Sequence, residues 1–74
     1  MTEPLEVVIT DMEFAGLHGP TEFVVPLILK EKGFRLTWVR GETMFQGHWE
    51  IDPPYEVEDQ PWNRTRIYRQ WSKP

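Results

Sequence analysis

Thr21-Glu22-Phe23-Val24-Val25-Pro26-Leu27-Ile28-Leu29-Lys30-Glu31-Lys32-Gly33 is the stretch on which the fold turns, because it reads in two ways. Phe23 to Leu29 is an apolar run bounded by turn-forming residues, as in a buried strand. Glu31-Lys32-Gly33 then suits a three-residue hairpin loop with glycine at the left-handed position. Pro26 would mark an edge strand or a bulge, since proline has no N–H for a ladder. As a helix, the same residues offer Thr21 as N-cap, basic residues in the last turn and Gly33 as the stop. Pro26 would lie in that helix's interior, at a cost of about 3 kcal/mol. A shorter helix starting at Pro26 escapes the objection. We read the stretch as a strand and keep a helix over about 21–32, packed on a sheet, as the alternative.

On the C-terminal side the pattern is regular. Phe34, Leu36 and Trp38 alternate with Arg35 and Thr37, then Arg40-Gly41-Glu42 reads as a tight turn. From Thr43 to Ile51, Phe45, Trp49 and Ile51 share a face, with Gly47 as a bulge or close approach. Two runs of period two around a glycine turn make a β-hairpin. Asp52-Pro53-Pro54 ends it, Tyr55 to Asp59 reads as a short acidic edge strand, and Gln60-Pro61-Trp62-Asn63 as a second turn. In the last strand, Arg64 to Trp71, we place Thr65, Ile67 and Trp71 on the core side and Arg66, Tyr68 and Gln70 outside. On the N-terminal side, Leu5 to Thr10 is a strand with Leu5, Val7 and Ile9 on one side. Asp11 to Pro20 is a loop with room for one short helical turn. The expected fold is therefore mainly β, a small antiparallel meander or barrel of four to six strands, with α+β as the alternative.

Seventy-four residues with no cysteine make one small domain, 1–74, frayed at 72–74, whose core must hold without disulfide or thiolate staples. Four Trp, four Phe and two Tyr supply the substitute, each buried ring removing roughly 150–250 Å² from water. Met1-Thr2-Glu3-Pro4 has no secretory-signal pattern, and no run approaches the ~20 apolar residues of a membrane span, so a cytoplasmic setting is expected. The net charge of −4 hides an asymmetry. All the acids precede residue 60, whereas Arg64, Arg66, Arg69 and Lys73 follow it unaccompanied. Such a basic strand either lies beside acidic neighbours such as Glu56, Glu58 and Asp59 or presents an edge to an acidic partner.

Little catalytic inventory is present. The sole serine, Ser72, is in the terminal fray, and the glycines fit no phosphate-binding spacing. His48, Glu50 and Asp52 project from one face at two-residue intervals, a pattern that any solvated strand face produces and that a metal site would need to supplement. We expect no enzyme, no cofactor and no metal. Arginines interleaved with aromatics suit two kinds of partner. Tyr, Trp and Arg are the residues of protein-interface hot spots; stacking rings with cations also serve single-stranded nucleic acid, although an acidic body opposes phosphate. The expected function is a protein-interaction module docking through Trp62, Arg64, Arg66, Tyr68 and Arg69, of the kind found among small regulators and inhibitors, phage-encoded ones included. A nucleic-acid-binding barrel is the alternative.

Overall fold

Thr21–Glu31 folds as a helix, which corrects the strand expected there and realises the α+β alternative. The computed structural model describes residues 3–43, 46–61 and 63–72. In chain order the elements are β1 (Leu5–Ile9), α1 (Asp11–Ala15), α2 (Thr21–Glu31), β2 (Leu36–Arg40), β3 (Gly47–Ile51), β4 (Tyr55–Asp59) and β5 (Arg66–Gln70). Pro26 lies inside α2, where it has no N–H to give the Glu22 carbonyl. Packing outweighs that loss. Val25 and Leu29, four apart on one stripe, are both buried, and each such side chain contributes about 1.5–3 kcal/mol. The helix end is equally well determined. Gly33 has φ +106° and donates to the Lys30 carbonyl, while Phe34 N–H donates to the Leu29 carbonyl. These are the paired bonds of a Schellman motif. Gly33 is thus left-handed as expected, but it stops a helix, and it turns Phe34 into the core.

The short helix α1 is the single turn allowed for between Asp11 and Pro20. Glu13 N–H donates to Thr10 Oγ1, and Thr10 N–H donates back to the Glu13 carboxylate. This reciprocal capping box satisfies two free donors at the helix start.

The strands form two antiparallel sheets, one of three strands in the order β1-β5-β4 and one of two, β2-β3. Among the described residues, five strands with two helices match the mainly β expectation, and the sheets do not close into a barrel. The molecule is a slab of 37 × 35 × 19 Å with a radius of gyration of 13.3 Å, against about 11 Å for an average domain of this length. The hairpin from Phe34 to Ile51 is present, with Trp38 opposite Trp49 and Leu36 opposite Ile51. Its connection is longer than the tight turn expected, running from Gly41 to Gln46, and Phe45 lies outside the described residues. Gly47 is the close approach foreseen for it: a Cβ there would come within 2.6 Å of the Trp38 ring.

The core is formed by Val7, Ile9, Val25, Leu29, Phe34 and Tyr68, contributed by β1, α2, the turn after α2, and β5. The faces of β5 are therefore the reverse of those expected. Tyr68 and Gln70 are buried, and Ile67 and Trp71 are only half-buried. The reason is the partner strand. Val7 and Ile9 lie opposite Tyr68 and Arg66, so these residues share the side that α2 covers. Gln70, 3% exposed, fastens the two sheets together. Its Oε1 accepts from Arg35 N–H at 2.8 Å, and its Nε2 donates to the Arg35 and Asp52 carbonyls, each at 2.9 Å. A buried amide satisfied on both sides is worth more as a fastener than an apolar side chain that leaves those backbone groups unpaired. No helix among the described residues is long and apolar enough to cross a membrane.

Candidate functional site

The strand alternation of β5 separates the residues expected to form one docking surface. Trp62 lies outside the described residues. Arg64, at φ +50° in the turn before β5, is exposed. Arg66 and Tyr68 point to the α2 side. Tyr68 is 5% exposed, which corrects its outward placement, and its hydroxyl accepts from Arg66 Nη1 at 3.0 Å. Arg66 also donates from Nε to Asp59 at 2.7 Å and lies over the Phe14 ring, 5.3 Å from its centroid. The hydrogen bond with Tyr68, followed by that with Asp59, raises the Arg66 pKa against the opposing effect of burial.

Arg69 projects from the opposite face of the sheet. Its guanidinium reaches Glu6 and Glu56 at 2.9 Å and Glu58 at 3.1 Å, and these carboxylates raise its pKa, Glu58 most. The first two are its direct cross-strand neighbours on β1 and β4. The basic last strand thus lies beside acidic neighbours within its own chain, which is the self-complementary arrangement weighed from the charge pattern.

The polar trio of β3 does not converge. His48 Nε2 lies 3.4 Å from Glu50 in an exposed pair, whereas Asp52 accepts a hydrogen bond from the Thr37 hydroxyl. Among the described residues no three His, Cys, Asp or Glu side chains are grouped to hold a metal.

The structure opens a different site. Where α2 crosses between the two sheets, a cleft of about 790 Å³ is walled by Pro26 and Leu29 of α2, Trp49 and Ile51 of β3, Tyr55 of β4, and Tyr68 with Arg66 of β5. Its wall is strongly aromatic. Trp49 packs edge-on against Trp38, centroids 5.2 Å apart at 68°, and carries the Lys30 ammonium 4.1 Å above its ring, a cation–π contact that holds the indole in place. Past Thr21 and Arg66 a second hollow of about 450 Å³ continues, lined by Phe14, Asp59 and Arg64. Because Thr21 and Arg66 border both, the two hollows form one trough with an apolar end and a charged end. Along one side runs β4, in which every residue is exposed.

Of the expected site residues, Arg64, Arg66 and Tyr68 line this trough and Arg69 does not. Trp49, Tyr55 and Pro26 were missed, because they meet only once residues 21–31 are helical. A signal was present for β4. In Tyr55-Glu56-Val57-Glu58-Asp59, acids alternate with apolar residues, the pattern of a strand with one charged face and one apolar face. No family model matches the chain, and comparison with curated proteins and with solved structures gives no match.

Proposed function

We propose that the chain is a small non-catalytic protein-interaction module that docks on a partner protein through the trough face and regulates or inhibits it. The observation that carries this is surface. The chain exposes 5761 Å², where a monomer of its 8.9 kDa averages about 4,800 Å². The difference, about 960 Å², exceeds the ~800 Å² that one partner contributes to a standard interface. Several large apolar side chains are open to solvent: Phe23, Leu27, Trp38, Tyr55 and Val57 are each between 43% and 52% exposed. Of these, Tyr55 lines the cleft itself, Val57 follows it along the same face of β4, and Trp38 packs against the Trp49 of the cleft wall; exposed apolar side chains beside an aromatic cleft are what an interaction surface offers.

The nucleic-acid alternative needs free cations beside exposed rings. It has less to stand on, because Arg66 and Arg69 are paired with carboxylates and Tyr68 is buried.

The test is capture of partners from the native host by the unaltered protein, by Tyr55→Ala and by Arg64→Asn, the asparagine tolerating the left-handed backbone at that position. A protein recovered with the unaltered chain and lost with Tyr55→Ala, at unchanged thermal midpoint, supports the reading. Recovery indifferent to both substitutions contradicts it. Oligonucleotide binding that weakens steeply with salt would favour the alternative.

A further inference from the structure

The antiparallel register shows which backbone groups of β4 are unused. Gln60 N–H donates to the Thr65 carbonyl and Trp71 N–H to the Pro54 carbonyl, so residues 54 and 60 are hydrogen-bonded to the β5 side. Bonded positions recur every second residue along an antiparallel ladder. Glu56 and Glu58 therefore bond to β5, whereas Tyr55, Val57 and Asp59 turn their N–H and C=O groups away from it. β4 is the edge of its sheet, and all five of its residues are exposed. Three consecutive outward pairs of donor and acceptor form a template for an added strand.

The side chains on either face of that edge specify what would fit. Tyr55 and Val57 point to the side of the trough, where an incoming strand would set alternate side chains beside Trp49 and Pro26; those side chains must be apolar. On the other face, Glu56, Glu58 and Glu6 surround the single guanidinium of Arg69, leaving two carboxylate charges in excess. An incoming strand would place its remaining side chains next to Glu56 and Glu58; those must be basic. A second copy of β4 would bring like charges together on that face and is disfavoured.

We propose, resting on the interaction-module reading, that β4 accepts an extended peptide segment of a partner as a fourth strand of the β1-β5-β4 sheet. The segment alternates apolar and basic residues. Main-chain bonds to Tyr55, Val57 and Asp59 supply the affinity, and the trough and the Glu56–Glu58 face supply the choice of sequence.

The experiment titrates the intact protein with a short peptide alternating Val and Lys, and with its Val and Glu counterpart, by amide NMR. The Val and Lys peptide is expected to shift and protect the Tyr55, Val57 and Asp59 amides and to move the Trp49 indole signal. Its affinity should fall about tenfold in Val57→Pro, which deletes an outward N–H without touching a β5 bond. It should fall similarly in the Glu56→Gln, Glu58→Gln double variant at low salt. Equal binding of the acidic peptide, binding indifferent to Val57→Pro, or no binding of the basic peptide each overturns strand addition. If that happens while Tyr55→Ala still abolishes capture of a native partner, the interaction-module reading survives and only the mode of docking is wrong. Circular dichroism and the thermal midpoint of Val57→Pro separate a lost bond from a lost fold, and N-methylation at Val57 in a semisynthetic chain, which blocks the same N–H without the proline ring, repeats the test.

Discussion

Replacing Gln70 by leucine should loosen the β2-β3 sheet from the rest of the molecule. The side chain is 3% exposed and makes three bonds, to Arg35 N–H and to the Arg35 and Asp52 carbonyls. Leucine keeps the volume and removes all three. The Arg35 carbonyl retains the Asp52 N–H as a partner, so two backbone groups are orphaned, Arg35 N–H and Asp52 C=O. At about 1–3 kcal/mol for each unsatisfied buried group, the loss is about 2–6 kcal/mol, offset by about 1–2 kcal/mol of added apolar burial. Central values of about 4 and about 1.5 kcal/mol leave a net loss of about 2.5 kcal/mol, a large share of the ~4–11 kcal/mol that a chain of this length possesses. Urea unfolding followed by tryptophan fluorescence measures it. Hydrogen exchange adds the location: amides of β2 and β3 should lose protection before those of β1 and β5. Gln70→Glu, which turns an oxygen toward the two carbonyls that Nε2 served, should be worse still at neutral pH. A leucine variant within about 0.5 kcal/mol of the parent, with the hairpin amides unchanged, would refute the fastening role.

Three further perturbations bear on the frame of the site. Gly47→Ala should cost about 1–3 kcal/mol and displace Trp38, since the new methyl would meet the indole at 2.6 Å; the fluorescence maximum and a denaturant melt report both, and an unperturbed Trp38 would contradict the contact. Pro26→Ala should stabilise by about 2 kcal/mol, the ~3 kcal/mol helix penalty being reduced by the ~0.4–1 kcal/mol of entropy that proline removes from the unfolded chain. A loss of stability would mean that the Pro26 ring in the trough wall contributes more by packing than it costs the helix. Arg69→Gln leaves Glu6, Glu56 and Glu58 facing one another, so the thermal midpoint should fall, and more at low ionic strength than at ~1 M salt, where charges are screened beyond about 3 Å. An equal fall at both salts would deny the electrostatic origin.

Local patterning carried the reading of the strands. Period-two alternation located β2 and β3, and Leu5, Val7 and Ile9 located β1, because each strand shows its apolar face in its own residues. Residues 21–32 failed on a local rule: Pro26 counted against a helix, yet Val25 and Leu29 bury against a sheet formed by distant parts of the chain, and a Schellman end formed by Gly33 and Phe34 closes the helix. The Thr10-Asp11-Met12-Glu13 capping box that starts α1 was passed over, and only room for one helical turn was allowed there. β5 misled for the opposite reason. Ile67 and Trp71 look like core residues, but the side of β5 that faces inward is set by which side α2 covers, and Gln70 is drawn there by backbone partners at Arg35 and Asp52. The docking surface inherited that error. It placed Tyr68 outside and missed Tyr55 and Trp49, which meet across a cleft that exists only once α2 is in place.

Amide exchange along β4 in the free protein tests the open edge most directly. The register predicts alternation: Glu56 and Glu58 protected through their bonds to β5, and Tyr55, Val57 and Asp59 exchanging freely until a basic, apolar-alternating peptide is added, when all five become protected. Protection of Val57 in the free protein, or no change on adding the peptide, would contradict an edge that stands ready for a partner's strand.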